Sequence, residues 1–346
     1  MDQPYPTGEG EMRILVMGGG GLGSVVGAYL AEAGVDVTLV ARSAHAEALR
    51  HVGLTVHGRR GTRIIRDNLH AVTHPREARG DFDYFILAVK SKDTESALRH
   101  ADCIKNRCAT VLSLQNNIVK EGILAEWAGA EKVLGASIIE GGTLVEPGVA
   151  NNHATAAVTF YAGELDGTVS QRAEHLVEVM NEAELPAKAV TCIRQVLWEK
   201  LCQICNASAW SVSTLAANPA LTFVDGVVVR EGVEHYVTIA HEILSVYTSM
   251  GYTPQNFYAP LSLLRDLHEA ASFEHACAVV VNMATHLKTQ GNRSRTSMHD
   301  DVLRGRKTEA QWILKPFIEK STEFALALPT LTGIYRALSV FDHYAQ

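Results

Sequence analysis

Residues 13–23 read Arg-Ile-Leu-Val-Met-Gly-Gly-Gly-Gly-Leu-Gly, a short β-type apolar run that passes through a glycine cluster into a helix-like segment, Ser24 to Ala33. Gly18, Gly20 and Gly23 thus form a G-x-G-x-x-G between a strand and a helix, the arrangement that takes a dinucleotide. Gly18 permits a tight turn off the strand. Gly20 lets the backbone approach a pyrophosphate, and Gly23 lets helix and strand pack closely. The helix N-terminus adds unpaired N–H groups and a partial positive charge. Away from a strand the same glycines would only connect two elements. Directly after one, near the N-terminus, they point to a nucleotide cofactor.

The second strand, Val35 to Val40, narrows the choice of cofactor. An NAD site usually ends this strand with an acid that accepts from the ribose hydroxyls. Here it ends in Ala41-Arg42-Ser43. Arg42 can fork onto a 2′-phosphate and Ser43 can donate to it, so NADP(H) is expected. The competing reading of Arg42 is a solvated surface arginine.

Strand-like and helix-like segments then alternate as far as residue 190. Strand patterns fall at 54–57, 63–65, 82–89, 110–114, 133–139, 143–145, 149–152, 156–162 and 187–190; helix patterns fall at 44–50, 94–101, 118–128 and 168–182. Such alternation predicts an α/β domain over 12–190, with a parallel sheet covered on both faces. From about Ile193 long helical periods take over, at 195–215, 227–250, 262–269, 275–286 and 308–326, so 191–346 is expected to be an all-α domain. Residues 1–11 are polar, with Pro and Gly, and read as a flexible tail. The helical domain offers either a homodimer interface or simply a core.

The composition is that of an ordinary globular enzyme, with 47% apolar and 20% charged residues. A net charge of -7 argues against nucleic acid or an anionic membrane as partner. No apolar run suggests a bilayer span and no basic-then-apolar leader is seen, so a cytoplasmic location is expected. The six cysteines do not resemble a disulfide framework. Cys202 and Cys205 form a C-x-x-C, but inside a helical pattern and without a second ligand pair, so buried thiols are expected rather than a metal site.

Ligands of open α/β sheets bind beyond the carboxyl ends of the strands. Lys90 follows Phe85–Val89, and Asn116 follows Val111–Gln115. A lysine there can grip a cofactor, and an asparagine can bond a ribose hydroxyl or a substrate. The plainer reading makes Lys90 a solvated residue and Asn116 a helix cap.

From Met12 onward the chain resembles the ketopantoate reductase family (2-dehydropantoate 2-reductases). The matching motifs are the glycine loop, Arg42, Ala88-Val89-Lys90, Leu114-Gln115-Asn116, and Glu146-Pro147-Gly148-Val149 leading to Tyr161-Ala162-Gly163. Further on, Trp198-Glu199-Lys200-Leu201 and the long block from Thr296-Ser297 to Thr308-Glu309 match as well. The resemblance implies an N-terminal Rossmann-like domain, a helical C-terminal domain, and hydride transfer from NADPH to the ketone of a small-molecule 2-keto acid. By position it makes Lys200 the catalytic lysine, Glu309 the glutamate that binds a substrate hydroxyl, and Ser297 the serine at the substrate carboxylate. It puts Asn116 near the nicotinamide ribose and the substrate, and gives Lys90 and Arg42 to the cofactor.

The chemistry suits these residue types. Hydride attack on a ketone builds negative charge on oxygen, which an ammonium group can stabilise and protonate. Lys200 has Val196 and Ile204 at its i±4 positions, so no helical ion pair accounts for it. Two departures touch the substrate side. The family usually has asparagines four and eight residues after the lysine; here Ile204 and Ser208 stand there, with Asn206 out of phase. Asn117 also replaces a glycine. The expected function is therefore reduction of 2-dehydropantoate to pantoate, with Ser208 kept as a substrate contact. One alternative is a same-family oxidoreductase for another 2-keto or hydroxy acid. A lesser one is a non-catalytic NADP-binding sensor.

Overall fold

The unbroken apolar run of β1 (Arg13–Met17) is buried from Ile14 onward, as a strand covered on both faces must be. In this computed structural model, residues 12–58, 60–153, 156–215, 218–291 and 295–345 are described. The expected 1–11 tail lies outside them. The chain divides into two compact units between Leu197 and Trp198.

In chain order the first unit contains β1, α1 (Gly21–Glu32), β2 (Asp36–Val40), α2 (Ser43–Val52), β3 (Leu54–Gly58), β4 (Gly61–Ile65), β5 (Leu69–Val72) and β6 (Phe82–Leu87). There follow α3 (Thr94–Ala101), β7 (Cys108–Ser113), α4 (Lys120–Ala128), β8 (Gly135–Ile138), β9 (Gly142–Glu146), β10 (Val149–Asn152), β11 (Phe160–Gly163), α5 (Gln171–Glu182) and β12 (Ala187–Ala189). The central sheet has the order β5-β2-β1-β6-β7, and every pairing in it is parallel. One core joins α1 and α5 to one side of this sheet. A second core sets Leu15, Phe85 and Leu87 against Leu98 of α3 and Leu124 of α4.

The alternation predicts one sheet, but the strands sort into three. Beside the parallel sheet are a four-stranded sheet, β4-β3-β10-β9, and a three-stranded one, β12-β11-β8. The reason lies in the hairpins. β3 and β4 pair antiparallel, as do β9 and β10 around Glu146-Pro147-Gly148, and β4 and β9 keep exposed residues that a doubly covered sheet would not tolerate. This second sheet packs on α1. Val56 and Ala150 share a core with Val25 and Tyr29, and the Arg60 guanidinium lies 5.1 Å over the Tyr29 ring. Arg60 is held in turn by the buried Glu140 carboxylate at 3.1 Å.

Other elements depart from the sequence pattern. The pattern does not predict β5: its four residues carry no clear period, and pairing with β2 makes it a strand. β11 begins at Phe160 rather than Ala156.

Helix α6 (Ile193–Thr214) contains the division between the units. The second unit continues with α7 (Phe223–Gly226), α8 (Arg230–Ser249), α9 (Leu264–His268), α10 (Phe273–Thr289), α11 (Ser297–Leu303), α12 (Ala310–Ile313), α13 (Lys315–Glu323) and α14 (Pro329–Tyr344). No strand is found among its described residues. The single helix expected over 308–326 breaks at Leu314, because Pro316 lacks an N–H and fits only a first turn. α14 is a further addition to the expected helices, and Leu331, Ile334 and Leu338 give it a buried stripe. Among the described residues, no helix is long and apolar enough to cross a membrane.

His45 ties three elements together at the glycine loop. Its Nδ1 accepts from the Gly148 N–H at 2.9 Å, which leaves the proton on Nε2, directed at the Ser24 hydroxyl 3.0 Å away. The ring is 3% exposed, and burial pushes its pKa below the ordinary histidine value. The unfolded imidazole takes up a proton near pH 6.5, while the folded one resists until lower pH. The stability set by neutral His45 is therefore complete above about pH 6.5 and is lost as the pH falls below it. Urea unfolding midpoints should drop more steeply between pH 7.5 and 5.5 in the wild-type protein than in His45→Gln. Parallel slopes would contradict this role.

Candidate functional site

Two groups of polar side chains stand out, one in each unit. In the first unit they line the carboxyl edge of four adjacent parallel strands. Arg42 follows β2, Gly18 follows β1, Lys90 comes after β6 and Asn116 after β7. Arg42 and Lys90 are exposed and Asn116 is half-buried.

The glycine loop is shaped by close approaches. Gly18 adopts φ +124°, and Gly18 and Gly19 both donate to the Val40 carbonyl, at 3.2 and 2.7 Å. A Cβ on Gly23 would lie 2.0 Å from the Gly18 carbonyl oxygen, so α1 reaches β1 only without a side chain there. A Cβ on Gly21 would lie 2.2 Å from the Gly142 oxygen, so β9 closes on the first turn of α1. Gly20 faces open space: nothing lies within 4 Å of where its Cβ would be. α1 carries no acid in its first turn. Backbone N–H groups beside an open, acid-free cradle fit a pyrophosphate.

Buried polar residues hold the strand ends. Gln115 donates to the Val89 carbonyl at 3.0 Å and to Thr94 Oγ1 at 2.7 Å, which joins the β7 exit to the β6 exit beside Lys90. Asn117 donates to Ser91 Oγ at 3.0 Å and accepts from the Val119 N–H at 3.1 Å. Asn117 thus closes a local turn ahead of α4. Lys120 is 1% exposed, and its ammonium donates at 2.7 Å to the carbonyls of both Ser113 and Ala136. The longer-range bonds, from Gln115 to Val89 and Thr94, from Asn117 to Ser91 and from Lys120 to Ala136, are not legible in the sequence, because those partners arrive from other strands and loops.

In the second unit, Lys200 sits on α6 at 4% exposure. Its neighbour Glu199 anchors the helix. The Glu199 carboxylate accepts from the Tyr247 hydroxyl at 3.1 Å, the Gln255 N–H at 2.8 Å and the Phe257 N–H at 3.0 Å. Burial pushes this carboxyl above its ordinary pKa against the pull of those donors. Trp198 packs edge-on to Phe317 of α13, with centroids 5.7 Å apart. The rotation of α6 is therefore pinned at the two residues before Lys200. The sequence places Glu199 in the Trp198-Glu199-Lys200-Leu201 motif but does not show its anchoring role, because its three donors lie about 50 to 60 residues further along the chain.

Further along α6, the Ser211 hydroxyl meets Thr296 Oγ1 at 2.7 Å and also donates to the Ser208 carbonyl at 3.1 Å. Thr296 caps α11, whose first residue is the exposed Ser297. Ser211 thereby ties α6 to the Thr296 cap of α11. Thr308 bonds the Asp342 carboxylate of α14 through its N–H and its hydroxyl, at 2.7 and 2.8 Å, which fixes the backbone just before Glu309. Glu309 is 9% exposed and stands at the N-cap position of α12. Asn206 is buried beside the Tyr236 phenol, off the Lys200 face. Cys202 and Cys205 are fully buried, and burial pushes both thiols well above the usual range, so they are not available as thiolates.

The chain matches the family described as "Ketopantoate reductase PanE/ApbA" over residues 14–167, and its C-terminal counterpart over 192–342. It is 31% identical over 321 residues to a 2-dehydropantoate 2-reductase of Archaeoglobus fulgidus, covering 91% of this chain and 92% of that one. Among solved structures it is similar to a 2-dehydropantoate 2-reductase of Methylococcus capsulatus, with TM-score 0.74 and 23% identity over 96% and 97% of the two chains. A D-mandelate dehydrogenase solved with NADH and anilino(oxo)acetate shares the fold, with TM-score 0.73 and 16% identity over 96% and 98%.

The position of Arg42 makes a direct prediction. Arg42→Glu should weaken NADPH binding roughly tenfold to a hundredfold while sparing NADH, as loss of a charge-assisted bond to a 2′-phosphate requires. Fluorescence titration of both cofactors checks it. An unchanged ratio of affinities would remove the 2′-phosphate from this residue.

Proposed function

Because the chain belongs to the ketopantoate reductase family, NAD(P)-dependent oxidoreductases acting on a CH–OH group, we propose that it reduces 2-dehydropantoate to pantoate with NADPH, using Lys200 as general acid. The observation that carries this reading is Lys200 itself: a lysine buried on a rigidly anchored helix, in a chain that follows the family nearly from end to end.

The bound nicotinamide supplies the hydride. Gly18 turns the chain and Gly23 lets α1 close on β1, so that the free N–H groups at the α1 N-terminus beside Gly20 would meet the pyrophosphate, and Arg42 would take the 2′-phosphate. Lys90 would contact the cofactor, and Asn116 would lie near the nicotinamide ribose and the substrate, on the strand edge that Gln115 and Lys120 brace. Ser297 binds the substrate carboxylate, and Ser208 is a further substrate contact. Glu309 accepts from the substrate hydroxyl. The Lys200 ammonium neutralises the charge that develops on the ketone oxygen and gives it a proton. Burial of Lys200 strengthens that interaction by lowering the local dielectric. We place the protein in the cytoplasm, where its six free cysteines stay reduced.

Ile204 and Ser208, in place of two amides, favour a second reading: the same hydride chemistry on a different 2-keto acid. A sensor that merely binds NADP would have no use for Lys200, Ser297 and Glu309 together.

Lys200→Met should lower kcat by roughly 10²–10⁴-fold, the usual worth of a positioned general acid, and leave the NADPH dissociation constant within about twofold. Steady-state kinetics beside a cofactor titration checks both. Turnover at the wild-type rate would rule out the acid role.

A further inference from the structure

Lys120 is unusual in two ways. It is buried, which lysines almost never are without a partner, and it is the first residue of α4, the end of a helix that disfavours a cation. Its ammonium donates to the carbonyls of Ser113 and Ala136, each at 2.7 Å, with the Glu121 carboxylate 3.6 Å away. Those two carbonyls belong to strands that diverge. The Leu134 N–H donates to the Val111 carbonyl at 3.0 Å, beside an isolated parallel bridge between Val111 and Val133. A parallel ladder would continue with the Ala136 N–H on the Ser113 carbonyl. Instead β7 stays with β6 and β8 pairs with β11, in separate sheets. The Ser113 carbonyl accepts from the Lys120 ammonium, which ties it to the Ala136 carbonyl across the parting. Asn116 follows three residues after Ser113.

We propose that Lys120 is a positioning residue for the nicotinamide half of the cofactor: by holding β7 to β8 where they diverge, it fixes the chain that presents Asn116. The inference rests on the cofactor placement proposed above and deepens it. Lys120 is enclosed and acts through the backbone. Gln115 and Asn117 fix the same segment from the β6 side, through Val89, Thr94 and Ser91, and Lys120 fixes it from the β8 side. An apolar side chain in its place would take the ammonium donor from two buried carbonyls, and the segment would shift to find other donors. The effect should stay local. β7 is the edge strand of the order β5-β2-β1-β6-β7, so β6 separates it from the glycine loop after β1 and from Arg42 after β2.

Two ligands of the full-length protein separate positioning from general support: NADPH, and adenosine 2′,5′-bisphosphate, which lacks the nicotinamide half. Lys120→Met keeps the length of the side chain and removes the donors. It should raise the NADPH dissociation constant about fivefold, the effect of one lost hydrogen bond, and so should Asn116→Ala. The double variant should bind NADPH no more weakly than Asn116→Ala, because both changes act on one contact. Binding of the bisphosphate should stay within about twofold of wild type in all three. Lys120→Gln, shorter and neutral, is the variant read if Lys120→Met does not fold, and the same loss that spares the bisphosphate is expected of it. Wild-type affinity for NADPH in the folded Lys120 variant, equal losses for both ligands, or losses that add in the double variant overturn the inference and leave the reductase reading standing. Wild-type affinity in Asn116→Ala overturns the placement of Asn116 and this inference with it. Failure of the wild-type protein to bind NADPH overturns the reductase reading as well.

Discussion

Everything in the nucleotide-binding half depends on how closely α1 approaches β1. The Gly18 carbonyl and Gly23 meet at a distance no side chain would allow, and Gly21 meets the β9 backbone in the same way. These contacts set the first turn of α1 at the carboxyl edge of the parallel sheet. A wider approach would carry the helix N-terminus away from the row formed by Arg42, Gly18, Lys90 and Asn116. His45 then locks the arrangement from the side through Ser24 and Gly148. The same constraint explains why the second sheet is there. It covers the outer face of α1, which the parallel sheet leaves open.

The helical half solves a different problem. A buried lysine is useful only if the helix carrying it cannot turn. Glu199 accepts three hydrogen bonds from elements outside α6, and Trp198 packs on α13. A buried carboxylate is costly by itself, so its full complement of donors matters. The long block from Thr296 to Glu309 is fixed at both ends, by Ser211 on α6 and by Asp342 on α14. Rigid support at each functional side chain is what the proposed chemistry needs, since orientation supplies much of catalysis.

Much of this is legible in the residues. The apolar run of β1, the glycine spacing and the alternation through β7 show the α/β half, and the long helical periods after Ile193 show the other. What stays hidden is set by partners distant in sequence. β5 exists because β2 is there to pair with it. The sorting into three sheets follows from hairpin pairing that periodicity does not reveal. The break at Leu314 is a different matter, since Pro316 signals it locally, and the spacing of Leu331, Ile334 and Leu338 likewise signals α14. Among site residues, motif position points to Lys200 and Arg42, whereas Gln115, Lys120, His45 and Glu199 acquire their roles from tertiary hydrogen bonds.

The central claim is that a hydride passes from NADPH to C2 of a 2-keto acid. The most direct measurement is turnover of 2-dehydropantoate by the purified protein with NADPH dideuterated at C4, followed by mass spectrometry of the product. The account predicts pantoate carrying one deuterium at C2, formed one-to-one with the cofactor oxidised. Pantoate without the label, or no product from this or any other 2-keto acid while NADPH is bound, would contradict it.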